Sequence, residues 1–177
     1  MALIHCQTLE GDGFARKVAS PDGRYFALWT GDGICCGKYY RGRLWLFGPG
    51  GELFSPAKTL RPREIAVADS GRLIVGDWLS RDTLSCWIRI FAPDGRELFS
   101  RRHRFNVVRV SIHADGRIAV YDTAGPEYKT RVVDVDAGTI ARKLPLTDHA
   151  ELLSREIPMQ PFTTRPILQT PDSDPAK

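Results

Sequence analysis

Asp77 and Asp122 are the first residues to weigh for chemistry, because each closes an apolar run, Leu73 to Gly76 and Ile118 to Tyr121. Two carboxylates near one mouth can bind a cation or share general acid and base work. The histidines His5, His103, His113 and His149 do not recur with them. Aspartates satisfied in turn hydrogen bonds are the preferred reading. No Gly-x-Ser-x-Gly, His-Glu-x-x-His or glycine-rich nucleotide fingerprint occurs. The glycine-rich stretch Gly31 to Gly42 has no phosphate-loop spacing, because Gly37 is not followed by Lys-Ser or Lys-Thr and a helix. Cys6, Cys35, Cys36 and Cys86 form no Cys-x-x-Cys pair, so free thiols are expected. The expectation is a chain without a cofactor or metal that is not an enzyme.

The elements that would position any site come from a repeat. The middle unit, Arg63 to Ser100, reads as four short apolar runs cut by Asp69-Ser70-Gly71 and Pro93-Asp94-Gly95, which are strand and hairpin signals. The first turn glycines, Gly23, Gly71 and Gly116, are spaced by 48 and 45 residues (71 − 23 and 116 − 71). The second, Gly51, Gly95 and Gly138, are spaced by 44 and 43 (95 − 51 and 138 − 95). Two markers keep one period of about 45 residues, with four strands per unit, as in propeller blades. Trp29, Asp77 and Asp122 then take equivalent positions near the end of each second strand.

Ser20-Pro21-Asp22-Gly23-Arg24 and Phe91 to Leu98 resemble WD-repeat and NHL-type β-propellers, over Phe14 to about Leu146. The Gly-His and Trp-Asp dipeptides of true WD repeats are absent. The fold expected is all-β: a β-propeller-like array of three to four four-stranded antiparallel blades in residues 1–146, with blades at about 14–55, 63–100 and 107–144. A β-sandwich is the alternative. Residues 147–177 read as a short helix capped by Thr147 or Asp148, then a proline-rich tail. The resemblance also implies an alternative function, a metal-dependent hydrolase of the lactonase-like propeller type using Asp77 and Asp122. Such sites draw Glu, Asn and His partners from several blades.

Three blades do not close a ring, since propellers have about four or more. An open fan leaves apolar faces and strand edges exposed. A strand at Met1 to Leu9, a homo-dimer or a hetero-complex would complete it. The connections 31–42, 78–85 and 123–129 and the links 56–62 and 101–106 project from one end. They pool Lys38, Arg41, Lys58, Arg61, Arg81, Arg101, Arg102, Arg104 and Lys129 against Asp32, Asp82 and Glu127. Tyr39, Tyr40 and Tyr128 share that end, and exposed Tyr and Arg favour protein interfaces.

The net charge of +4 implies no partner by itself. The expected function is a non-enzymatic interaction module binding an acidic macromolecular partner through Lys38, Tyr39, Tyr40, Arg41, Arg81, Arg101, Arg102, Arg104, Tyr128 and Lys129. An immunity or inhibitor protein is its specific form. Nucleic acid is the second partner class, from Arg101-Arg102-His103-Arg104, but no named binding motif is present. With no apolar run near 18 residues and no signal-peptide pattern, a cytoplasmic protein is expected.

Overall fold

The computed structural model describes residues 16–31, 33–35, 38–55, 59–79, 84–125 and 128–156, with backbone alone for 33–35, 38–40 and Glu156. The strand expected at Met1 to Leu9 and the tail from Ile157 lie outside the described residues. β1 (Arg16–Ala19) and β2 (Phe26–Trp29) open the first sheet. A ribbon of β3 (Gly33–Cys35) and β4 (Lys38–Tyr40) interrupts it, and β5 (Leu44–Gly48) and β6 (Gly51–Phe54) complete it. The second sheet is β7 (Pro62–Val67), β8 (Leu73–Trp78), β9 (Cys86–Phe91) and β10 (Glu97–His103). The third is β11 (Val107–Ile112), β12 (Ile118–Thr123), β13 (Lys129–Asp134) and β14 (Thr139–Pro145), and α1 (His149–Glu156) follows. Among the described residues the strands thus form three four-stranded antiparallel sheets, each paired in chain order, and one ribbon. Three sheets form, where the sandwich alternative called for two.

The turns show why these hairpins close where they do. In each Asp-Gly-Arg turn the aspartate accepts the backbone N–H two residues on: Arg24 N to Asp22 at 3.0 Å, Arg96 N to Asp94 at 3.0 Å, Arg117 N to Asp115 at 2.8 Å. The glycine between them takes φ of 72°, 84° and 79°, which a side chain rarely adopts. Backbone closures run from Ser20 N to Tyr25 O, Ala68 N to Arg72 O and His113 N to Ile118 O. The second turn therefore encloses one residue fewer than the other two.

That missing residue corrects the expected equivalence. Asp77 matches Thr30 and Thr123, all three buried. Asp122 matches Trp29 and Gly76. Since side chains alternate along a strand, the two aspartates occupy opposite faces of their sheets.

Alternation also sets the packing. Ala27, Trp29, Leu44 and Leu46 of the first sheet meet Leu73 and Val75 of the second. The opposite face of the second sheet, with Ile74, Ile88 and Ile90, meets Ala119, Tyr121 and Val133 of the third. The far face of the third, Val120 and Val132, is covered by Leu152 of α1. Each such fully buried aliphatic side chain contributes about 1.5–3 kcal/mol over an exposed one. Successive sheets thus present opposite faces to each other in one constant sense.

Helix α1 is too short to hold alone. Asp148 caps it, accepting Glu151 N at 3.0 Å, and Glu151 pairs with Arg155 one turn on. No helix among the described residues is long and apolar enough to cross a membrane.

Candidate anion-binding groove

Period-two alternation on β10 puts Phe99, Arg101 and His103 on one face, towards the third sheet. Phe99 enters the core between the sheets, and Arg101 and Arg102 stay exposed. Across β12, β13 and β14, register pairs Tyr121 with Arg131 and Arg131 with Lys143. The two rows meet where a ring nitrogen of His103, Nε2, lies 2.9 Å from the Tyr121 hydroxyl. Arg131 stands 5.8 Å over the Tyr121 ring and donates to Thr123 Oγ1 at 2.8 Å.

Outside this junction an open groove of about 560 Å³ runs between β10 and β14, lined by Trp87, Phe99, Arg101, Arg102, Ile140 and Lys143 among others. At the turn end Gly138 presses on β10: a Cβ there would lie 3.0 Å from the Leu98 carbonyl oxygen.

The groove is electrostatically uncompensated. Burial first, then the charges of Arg131, Arg101 and Lys143, push the His103 imidazole down to about 4. It is neutral at pH 7. Burial likewise pushes the Tyr121 hydroxyl up. Nearby carboxylates serve elsewhere: Glu97 faces Arg89, Asp136 pairs with Arg72 and Arg117, and Asp134 accepts Ala137 N. Among the described residues no carboxylate pairs with Arg101, Arg102 or Lys143. Arg101, Arg102 and Lys143 are exposed, and like charges gathered on one surface favour an incoming anion.

The residues named from the sequence scatter. Arg101 and Arg102 belong to the strand β10, not to the link after it, because the pairing of β10 with β9 continues to His103. Arg104 is exposed in that link, Arg41 is exposed after β4, and Tyr128 is 57% exposed beside Lys129 at the start of β13. Lys38, Tyr39 and Tyr40 form β4, with side chains outside the described residues, as are Arg81 and Lys58.

Bonds from Gly42 N to Leu60 O, Trp78 N to Arg61 O and Ala124 N to Asn106 O stitch the connections together at the end opposite the Asp-Gly turns. Arg61, counted as a surface cation, is only 6% exposed and leaves that set. Arg131 and Lys143 were missed. They stand in strands far from Arg101 in the chain, and only sheet packing makes them neighbours.

Both aspartates are engaged in hydrogen bonds within the fold. Asp77 is fully buried and accepts Leu60 N at 3.0 Å and Arg61 N at 2.7 Å, fixing the link into β7. Burial raises its carboxyl despite those bonds. Asp122 faces α1. It accepts Thr130 Oγ1 at 2.7 Å and Arg109 Nε at 2.9 Å.

His149 Nε2 lies 3.1 Å from Asp122 Oδ1. Its Nδ1 meets Ser111 Oγ at 2.9 Å. Burial alone would raise Asp122; His149, Thr130 and Arg109 outweigh it and hold the carboxyl below its ordinary range. Among the described residues no three His, Cys, Asp or Glu side chains gather as metal ligands. The buried Cys86 thiol is pushed up to about 11, unsuited to thiolate chemistry.

No protein-family model matches this sequence, and no curated protein matches it as a relative.

Proposed function

We propose that this chain is a non-enzymatic interaction module, propeller-like in form, that binds an acidic macromolecular partner through the cations between its second and third sheets. The observation that carries this is the placing of Arg131 and Lys143 side by side across β13 and β14, with Arg101 of β10 facing Lys143 over the groove, and no carboxylate paired with Arg101 or Lys143 among the described residues. The propeller-like form is supported by the constant sense in which successive sheets pack. An acidic protein surface is steered to such a patch and paired with its arginines. Exposed Arg104 and Tyr128 extend the surface towards the loop end. A protein that occludes an acidic surface on an enzyme is the specific form of this function.

The test is titration of the purified chain with polyglutamate and, separately, with a single-stranded oligonucleotide, at low and high salt. Polyglutamate should bind in a salt-sensitive manner, and Arg101→Ala with Lys143→Ala should remove that binding. Preference for the oligonucleotide, or binding untouched by the double variant, would contradict the proposal.

A further inference from the structure

The three sheets stack in series, and the two ends of the stack differ. At one end Val120 and Val132 of the third sheet are sealed beneath Leu152 of α1. At the other end the first sheet turns a second apolar face away from its neighbour. Val18, Ala27, Leu44 and Leu46 point into the core, so Lys17, Phe26, Leu28, Trp45 and Phe47 point the opposite way. Register joins them into one surface: Lys17 pairs with Leu28, Leu28 with Trp45, Phe26 with Phe47 and Phe47 with Glu52. Phe47 is nearly buried and stacks on Phe26 at 4.8 Å. Phe26, Leu28 and Trp45 are only half-buried and belong to none of the core clusters. No described strand or helix packs on this face.

We infer that this face is a contact between two copies of the chain, first sheet against first sheet about a two-fold axis. A ring of two copies would need the third sheet of one to pack on the first sheet of the other, and α1 occupies that face of the third sheet. A contact between two first sheets needs one kind of face alone, which makes it isologous. The charges on the face are self-complementary. Lys17 on β1 and Glu52 on β6 stand exposed at its two opposite edges. An axis along the strands, between β2 and β5, lays β1 of one copy over β6 of the other. Lys17 then comes opposite Glu52 of the second copy, twice, around an apolar middle. Among the described residues neither side chain is in an ion pair. Lys17 Nζ leans over the Phe26 ring, 4.4 Å from its centroid, towards the row in which Phe26, Phe47 and Glu52 pair. Sheets packed face to face lie about 10 Å apart, a gap that lysine and glutamate side chains span together. The contact leaves the cations between the second and third sheets free, so it stands or falls separately from the acidic-partner reading.

The test is the solution mass of the full chain, by light scattering on a sizing column over a range of concentrations. A dimer is expected. Lys17→Glu or Glu52→Lys alone sets like charges opposite each other twice and should raise the dimer Kd about tenfold. The two together exchange the pair and should restore the parent Kd. Both residues are exposed, so the reversals spare the core, and circular dichroism should match the parent. Leu28→Arg should give a monomer. A monomer of the unaltered chain at every concentration would overturn the inference, whether another segment or a different protein covers the face. A dimer indifferent to Leu28→Arg, or a double reversal no tighter than the single ones, would also overturn it.

Discussion

His103 of the second sheet and Tyr121 of the third meet at 2.9 Å, with their rings edge to face at 5.3 Å between centroids. The pair ties the two sheets together. The charges of Arg131, Arg101 and Lys143 act on its imidazole.

Tyr121→Phe keeps the ring and removes the hydroxyl. The half-buried imidazole then loses its partner, at a cost of about 1–3 kcal/mol. Urea denaturation should show this as a lower midpoint with an unchanged slope.

The same imidazole gives stability a pH dependence of definite sign. Its folded value, about 4, lies below the 6.5 of an ordinary histidine. Above that ordinary value it is neutral in both states. Between the two values the unfolded chain takes up a proton that the folded chain refuses, so stability falls as pH falls, and the loss levels off below about 4. Asp122, Asp136 and Asp148, all held below 3.8, add their loss at lower pH. His103→Gln should flatten the upper part of the curve alone, as read from denaturation midpoints between pH 7 and pH 4.

Gly76 permits the close approach of β11 to β8, since a Cβ there would lie 2.2 Å from Val107 Cγ1. Gly76→Ala should destabilise by about 1–3 kcal/mol through overpacking. Val107→Ala should recover part of that in the double variant, as a thermodynamic cycle would show.

Asp77 separates a structural aspartate from a catalytic one. Asp77→Ala strands the N–H groups of Leu60 and Arg61 and should cost about 2–3 kcal/mol. Asp77→Asn keeps an acceptor and sheds a buried charge, so it should cost less. Metal content measured by mass spectrometry should be the same in both variants and the parent.

Leu152 holds α1 on Val120 and Val132. Leu152→Ala should cost about 2–3 kcal/mol and make residues 149–156 sensitive to limited proteolysis. Arg155→Ala breaks only an exposed pair with Glu151, so its digestion pattern should match the parent.

The architecture was largely legible because turn chemistry is local. Glycines and aspartates at a repeating interval announce hairpins wherever they stand, and Gly23, Gly71 and Gly116 all take positive φ. What stayed hidden was non-local or a matter of one residue. The shorter turn after Ala68 shifts the alternation of β8, so Asp77 and Asp122 looked alike in the sequence and face opposite ways in the fold. Arg101 and Arg102 read as a basic link because strand pairing, not composition, decides where β10 ends. Lys143 becomes a neighbour of Arg101 only through packing between sheets.

The most direct measurement is the titration of His103, followed by NMR through its ring protons, with and without polyglutamate. His103 should titrate near 4 in the chain alone, higher in Arg101→Ala, and higher in the unaltered chain when polyglutamate neutralises the surrounding cations. An ordinary value near 6.5 that neither the variant nor the polymer moves would contradict it.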